Sequence, residues 1–209
     1  MAAQAVEIIE LDDAVAALRS GDLVVYPTET FYGIAADPFS LPALAKLSAI
    51  KGRDAQKPIA LIAADSSMAL EIAREVPRAA RRLARAFWPG ALTIVLPARA
   101  GFPAQLVGPD GGIGVRVSPH PIAQALSQKL GRPITATSAN RSGQEPATTL
   151  KMARESLGDE VRVFLEGGIL SASAPSTVIA CDARGYRIIR AGAITENDLI
   201  AALGNGTIE

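Results

Sequence analysis

Along this chain, short and nearly unbroken apolar runs alternate with longer segments in which apolar residues recur every three or four positions. The first rhythm is that of buried strands and the second that of amphipathic helices. "VEIIELDDAVAALRSG" predicts a short strand running into a helix closed by Gly21, and "DLVVYPT" predicts a buried strand stopped by Pro27. Ser40 can cap a helix with Pro42 in its first turn, in which Leu41, Leu44, Leu47 and Ile50 form one apolar stripe and Gly52 marks the end. "PIALIA" follows as a strand, and "SSMALEIAREVPRAARRLARAFW" reads as two helices divided at Pro77. "ALTIVLPA" and "GIGVRVS" are strands around the glycine-rich turn "GPDGG". Then come a helix at "HPIAQALSQKLG", a strand at "PITATS", a polar loop at "ANRSGQEPAT" and a helix at "LKMARESLG". Three strands, "VRVFLE", "STVIACD" and "GYRIIRAG", precede a last helix from about Thr195, with Asp198 placed to complete a capping box.

Strands and helices interleave, except for the three late strands, so the pattern predicts an α/β fold with one twisted mixed sheet. With 209 residues and no linker, low-complexity tract or internal repeat, a single domain over 1–209 with a core from about 6 to 202 is expected. Hydrophobic residues make up 49% of the chain, and 21 basic residues balance 21 acidic ones, the composition of an ordinary soluble globular protein. That balance carries no global polyanion signal, which leaves room only for a local or weak RNA contact. Cys181 is the only cysteine, so neither an internal disulfide nor a multi-cysteine metal site is available. The start of the chain lacks a secretory pattern and no long apolar run occurs, so the expected location is the cytoplasm, without a membrane span.

Conventional catalytic sets are scarce. His120 is the only histidine, and in "SPHP" it stands where a helix begins and a capping role fits. Cys181 in "STVIACD" reads as a small buried thiol. No G-x-x-x-x-G-K-[ST] motif is present, and "GGIGVR" lacks the dinucleotide spacing. What remains are polar stretches at strand ends, where ligands gather in open α/β sheets. "YPTETFYG" carries Thr28, Glu29 and Thr30, either a well-bonded turn or part of a site. "KGRDAQKP" groups Lys51, Arg53 and Lys57, either as a solvated face or as an anion grip combining a guanidinium fork with ammonium charges. As loop cations these residues would contribute little to stability. "TSANRSG" offers Ser138, Asn140 and Gly143 for close approach to a ligand, and Arg116 in "GVRVS" puts a charge inside an apolar strand, which demands an anionic partner or an internal salt bridge. "APSTV" and "RIIRAG" place Ser176, Thr177 and Arg190 near strand ends.

Taken in order, "YPTETFYGIAADP", "KGRDAQKPIALI", "WPGALTIVL", "GIGVRVSPHP", "TSANRSGQEPATT", "PSTVIA" and "IIRAGAI" resemble the YrdC-like family, from about Val6 to Ala202. Members of that family include threonylcarbamoyl-AMP synthases. Its most specific mark, K-x-R paired with S-x-N, reads here Lys51, Arg53, Ser138 and Asn140. The resemblance implies a concave, positively charged surface on a mixed α/β sheet. It implies an enzyme that joins L-threonine, bicarbonate or CO2, and ATP, with Mg2+ accompanying the ATP, into threonylcarbamoyl-AMP and pyrophosphate. A separate threonylcarbamoyl transferase would carry the group to tRNA. By the same resemblance Lys51, Arg53, Ser138 and Asn140 form the catalytic set. Arg53, Lys57, Ser138, Asn140 and Arg190 contact the nucleotide, and Thr30, Arg116 and Ser176 hold threonine. It names no protein ligands for the metal. Some longer relatives carry a further C-terminal domain and a histidine where this chain has Leu61 and Ile62. Two other functions fit the same surface: a non-enzymatic RNA-binding protein of ribosome maturation, or carbamoyl transfer to another acceptor.

Overall fold

Among the residues that the computed structural model describes, 11–52, 58–171 and 174–204, seven α-helices pack on one nine-stranded sheet. In chain order the elements are α1 (Leu11–Arg19), β1 (Val24–Tyr26), β2 (Gly33–Ala35), α2 (Leu41–Lys51), β3 (Ala60–Ala63), α3 (Ser66–Glu71) and α4 (Arg78–Phe87). They continue with β4 (Leu92–Pro97), β5 (Gly112–Val117), α5 (Pro121–Leu130), β6 (Ile134–Ser138), α6 (Leu150–Leu157), β7 (Val163–Phe164), β8 (Thr177–Asp182), β9 (Gly185–Arg190) and α7 (Glu196–Leu203). The strands lie in the order β7-β1-β2-β6-β3-β5-β4-β8-β9. Pairs β1/β7, β3/β5 and β4/β8 are parallel and the others antiparallel, so the sheet is mixed, as the interleaved pattern predicts. The strand expected at "VEII" lies outside the described residues.

Two features depart from the sequence pattern. The short β2 was not predicted, because three residues opening on a glycine carry no readable alternation; it is held by pairing on both sides, Tyr26↔Gly33 with β1 and Gly33↔Ser138 with β6. The three late strands are not neighbours: β7 pairs with β1 at one edge, whereas β8 and β9 form a hairpin at the other.

Side-chain alternation explains where the open face lies. In β4, Leu92, Ile94 and Leu96 join α2 and α4 in the larger core, as do Ile113, Val115 and Val117 of β5. The intervening Thr93, Val95, Gly112, Gly114 and Arg116 face the opposite side and line a cleft. On that side α1 and α5 cover only the part of the sheet around Val24, Ala35, Ile62 and Ile134, through Val15, Leu18, Ala123 and Leu126.

Helix α2 sets the position of the first predicted site residue. The Ser40 hydroxyl accepts from the Ala43 N–H, Pro42 occupies the first turn, and Gly52 closes the helix in the left-handed region at φ 53°, donating its N–H to Ala49 O and Ser48 O. Its buried face comprises Ala43, Leu44, Leu47, Ile50 and the terminal Lys51. Leu41, expected in the apolar stripe, is instead 58% exposed. At the far end of the chain the predicted capping box is present between Thr195 and Asp198.

The corrected stripe is testable by truncation. Leu47→Ala should cost about 2–5 kcal/mol through lost burial and the cavity left behind, read as a lowered urea midpoint at unchanged denaturant slope. Leu41→Ala should stay within about 0.5 kcal/mol of the parent, as exposed positions do.

Candidate active site

The cleft encloses about 900 Å³ and is lined by residues from β1 to β6, the end of α2, the segment before β8 and the end of β9. Its floor is built from small residues, Gly33, Ala60, Gly114 and Ala136. A Cβ on Gly33 would stand 3.1 Å from the Tyr26 ring, and one on Gly114 would stand 3.4 Å from both Ala60 Cβ and Thr93 Cγ2. The backbone is therefore the surface a ligand meets, and larger residues here would fill the hollow. A smaller hollow of about 350 Å³ beside Phe39 and Phe102 contains none of the predicted site residues.

Seven of the predicted residues, Lys51, Ser138, Asn140, Thr30, Arg116, Ser176 and Arg190, line this one cleft. Arg53 and Lys57 lie outside the described residues, but Gly52 and Pro58, which bracket their segment, are both part of the lining.

Lys51 corrects the expectation of an exposed loop cation. It is the last residue of α2 and only 6% exposed. Its Nζ donates to Ser138 O at 2.8 Å, to Asn140 O at 2.5 Å and to Asn140 Oδ1 at 3.1 Å. Those oxygens supply the electron density that a desolvated ammonium needs, and the helix C-terminus favours a cation there. The Ser138 hydroxyl donates to Asn140 Oδ1 at 2.5 Å, and Asn140 Nδ2 donates to Gln144 O at 2.6 Å. The end of α2 and the S-x-N loop are thus joined into one wall by a buried charge.

Of the two alternatives stated for Arg116, the structure shows the internal salt bridge. Its Nε lies 3.0 Å from Glu29 Oε1, with both side chains nearly buried at 10% and 13% exposure. Neither atom satisfies hydrogen-bond geometry, so the contact is a close, off-line ion pair. Glu29 Oε2 accepts from the Ser118 hydroxyl, which in turn accepts the His120 N–H at 3.2 Å. Beside Glu29, the Thr28 hydroxyl accepts from Thr30 N at 3.1 Å and donates to Phe31 O at 2.7 Å, so the predicted turn is both well bonded and part of the site.

Toward β8 and β9, Arg190 Nη2 donates to Ser176 O at 2.7 Å and to its hydroxyl at 3.1 Å, and that hydroxyl also pairs with Thr93 Oγ1 at 3.0 Å. The sequence reading missed Thr93, although it carries the same signal as Arg116, a polar residue inside an apolar strand. Glu29 reads in sequence as part of either a turn or a site, and its pairing with Arg116 is not legible there because that partner stands far away in sequence.

The remaining candidates behave structurally. His120 Nδ1 accepts from the Ile122 N–H at 3.3 Å and caps α5, and burial holds the imidazole below its usual value, against the opposing charge of Glu29. Burial pushes the Cys181 thiol up to about 12, leaving it protonated and inert. Tyr32, whose hydroxyl donates to Gly168 O at 2.8 Å, is likewise pushed up to about 12, chiefly by burial. Among the described residues no group of three or more His, Cys, Asp or Glu side chains is arranged to hold a metal ion, and no helix is long and apolar enough to cross a membrane.

Comparison with known proteins gives a consistent family. The Sua5/YciO/YrdC family model, described as "Telomere recombination", matches residues 16–192. A putative threonylcarbamoyl-AMP synthase of Mycobacterium tuberculosis is 36% identical over 191 residues, 91% of this chain and 88% of the relative. A threonylcarbamoyl-AMP synthase of Vibrio cholerae is 38% identical over 184 residues, 87% of this chain and 97% of the relative. Among solved structures, P. abyssi Sua5 complexed with L-threonine superposes with a TM-score of 0.88 at 31% identity, covering 94% of this chain. This chain spans 58% of that longer protein.

Two outcomes follow from the site's geometry. Lys51→Met, which keeps the stem but removes the donors to Ser138 and Asn140, should lower stability by about 1–3 kcal/mol, measured by urea unfolding. His120 is held neutral in the fold, so its contribution to stability is present above the ordinary value of 6.5 and is lost as pH falls through the lower folded value. The unfolding midpoint should therefore drop more between pH 7.5 and pH 5 in the parent than in His120→Asn, which keeps a capping group without a titrating one.

Proposed function

Because the chain belongs to the Sua5/YciO/YrdC family, we infer that it is an L-threonylcarbamoyl-AMP synthase, joining L-threonine, bicarbonate or CO2, and ATP into threonylcarbamoyl-AMP and pyrophosphate. The observation that carries this reading is the convergence in one cleft of an S-x-N loop anchored by Lys51 with a second wall built around Arg116 and Ser176. One wall suits polyphosphate and the other an amino acid's carboxylate.

The chemistry asks for positioning and charge stabilisation rather than a covalent nucleophile, which agrees with a capping histidine and a buried thiol. The neutral threonine amine adds to CO2, forming the C–N bond of a carbamate and releasing a proton. A carbamate oxygen then attacks the α-phosphorus, and the bond to pyrophosphate breaks as its oxygens take up the charge. In this reading Arg116 meets the threonine carboxylate with its guanidinium fork, and Thr30 and Ser176 offer hydroxyls beside it. Ser138 and Asn140 face the phosphates or the nascent carbamate.

Lys51 fixes that pair in place and adds positive potential behind it. Arg53 and Lys57, lying in sequence between two cleft residues, supply further cations for the triphosphate, and Arg190, which also donates to Ser176, contacts the nucleotide. Magnesium enters as part of the Mg–ATP substrate, with the triphosphate supplying most of its coordination. The product passes to a threonylcarbamoyl transferase acting on tRNA in the cytoplasm, and any direct RNA contact is weak, in keeping with zero net charge.

Purified protein given ATP, L-threonine, bicarbonate and magnesium should release pyrophosphate and form an adenylate containing both threonine and the added carbon, detected by mass spectrometry with labelled bicarbonate. Omitting threonine should abolish both. Arg116→Ala should raise the KM for threonine at least tenfold, the loss of a charge-assisted pair. Pyrophosphate release that ignores threonine would contradict the reading.

A further inference from the structure

Arginine is a long side chain with many rotamers, so a guanidinium that must read a small carboxylate needs to be immobilised before the ligand arrives. Arg116 can be restrained from only one direction without blocking its fork, the Nε side. Glu29 occupies that side, with Oε1 3.0 Å from Nε, and both side chains are nearly buried. Among the described residues, the hydrogen bonds give the Nη1 and Nη2 nitrogens no protein acceptor, while the residue itself lines the cleft.

Glu29 is itself held at both ends. Its backbone stands between Thr28 and Thr30, whose turn is closed by the Thr28 hydroxyl. Its second carboxylate oxygen accepts from Ser118, and the Ser118 carbonyl accepts from Gln124 Nε2 at 2.8 Å, so the chain of contacts ends in helix α5. Five residues from two distant stretches thus lead to one side of one guanidinium, an expensive arrangement for a surface charge but a sensible one for a receptor.

We propose that Glu29 is a positioning residue for the amino-acid substrate. Its carboxylate secures the Nε edge of Arg116 and leaves the Nη edge to accept the substrate's carboxylate. The reading rests on the threonine assignment made for this cleft. It adds that recognition depends on an acidic residue that need not touch the ligand. Charge is part of the argument: removing it leaves the guanidinium buried without a counter-ion and free to turn toward solvent or another acceptor.

The test separates the clamp from the substrate. Arginine Nε–H signals of labelled full-length protein, with Arg116 assigned by its disappearance in Arg116→Lys, report the rigidity of that side chain without any ligand. Glu29→Gln keeps the acceptor for Ser118 but not the charge. It should make the Arg116 signal mobile, weaken threonine binding by calorimetry at least tenfold, and leave the affinity for a non-hydrolysable ATP analogue within about twofold.

If Glu29→Gln fails to fold, Ser118→Ala carries the same test, with threonine weakened by about threefold to tenfold, the worth of one hydrogen bond. An unchanged Arg116 signal, or an equal loss for both ligands, overturns the proposal. A mobile Arg116 in Glu29→Gln combined with a parent that does not bind threonine upholds the clamp and overturns the assignment of its ligand.

Discussion

The site depends on a buried ammonium. Lys51 ends a helix whose caps, Ser40 and Gly52, fix where the last turn falls, and from there its Nζ reaches the carbonyls of Ser138 and Asn140 across the end of β6. A lysine in such a place loses hydration worth several kcal/mol, and oxygen acceptors have to offset that loss. Here they come from the last residue of β6 and from the loop that follows it, so that loop is held by the charge as much as the charge is stabilised by the loop. Ser138 and Asn140 then bond to each other and to Gln144, which leaves their arrangement specified before any ligand binds.

The second condition is an uncovered stretch of sheet. On the other face, Leu92, Ile94, Val115 and Ile179 are sealed by helices; on the cleft face, α1 and α5 stop short. Where they stop, the strands carry Gly33, Ala60, Gly114 and Ala136, residues too small to fill the space themselves. The hollow therefore arises from side-chain size along the strands and from helix placement, and polar groups at the strand ends surround it, as expected for ligand sites of α/β folds.

Much of this was legible in the chain. Buried strands and capped helices announced themselves through periodicity, and the capping box at Thr195 and the glycine end at Gly52 were readable from residue types alone. What escaped were relations between distant positions. Lys51 looked like a loop cation because the oxygens that bury it lie 87 and 89 positions away. Glu29 reads equally as a turn or a site residue, because Ser118, which orients it, is 89 positions distant. The β2 strand escaped because its stability comes from two neighbours rather than from its own three residues, and the insertion of β6 between β2 and β3 is a pairing that local pattern does not encode. The grouping of Thr30, Arg116, Ser138, Asn140 and Ser176 was available only through family resemblance, and their convergence on one hollow is a property of the fold.

The most direct measurement is a crystal structure of the protein with L-threonine and a non-hydrolysable ATP analogue. The threonine carboxylate should lie on the outer nitrogens of Arg116, with Glu29 still against Nε, and the polyphosphate should lie beside Ser138 and Asn140, with Lys51 still buried behind them. Ligands bound in the hollow beside Phe39, or a Lys51 swung away from the Ser138 and Asn140 carbonyls, would contradict this description of the site.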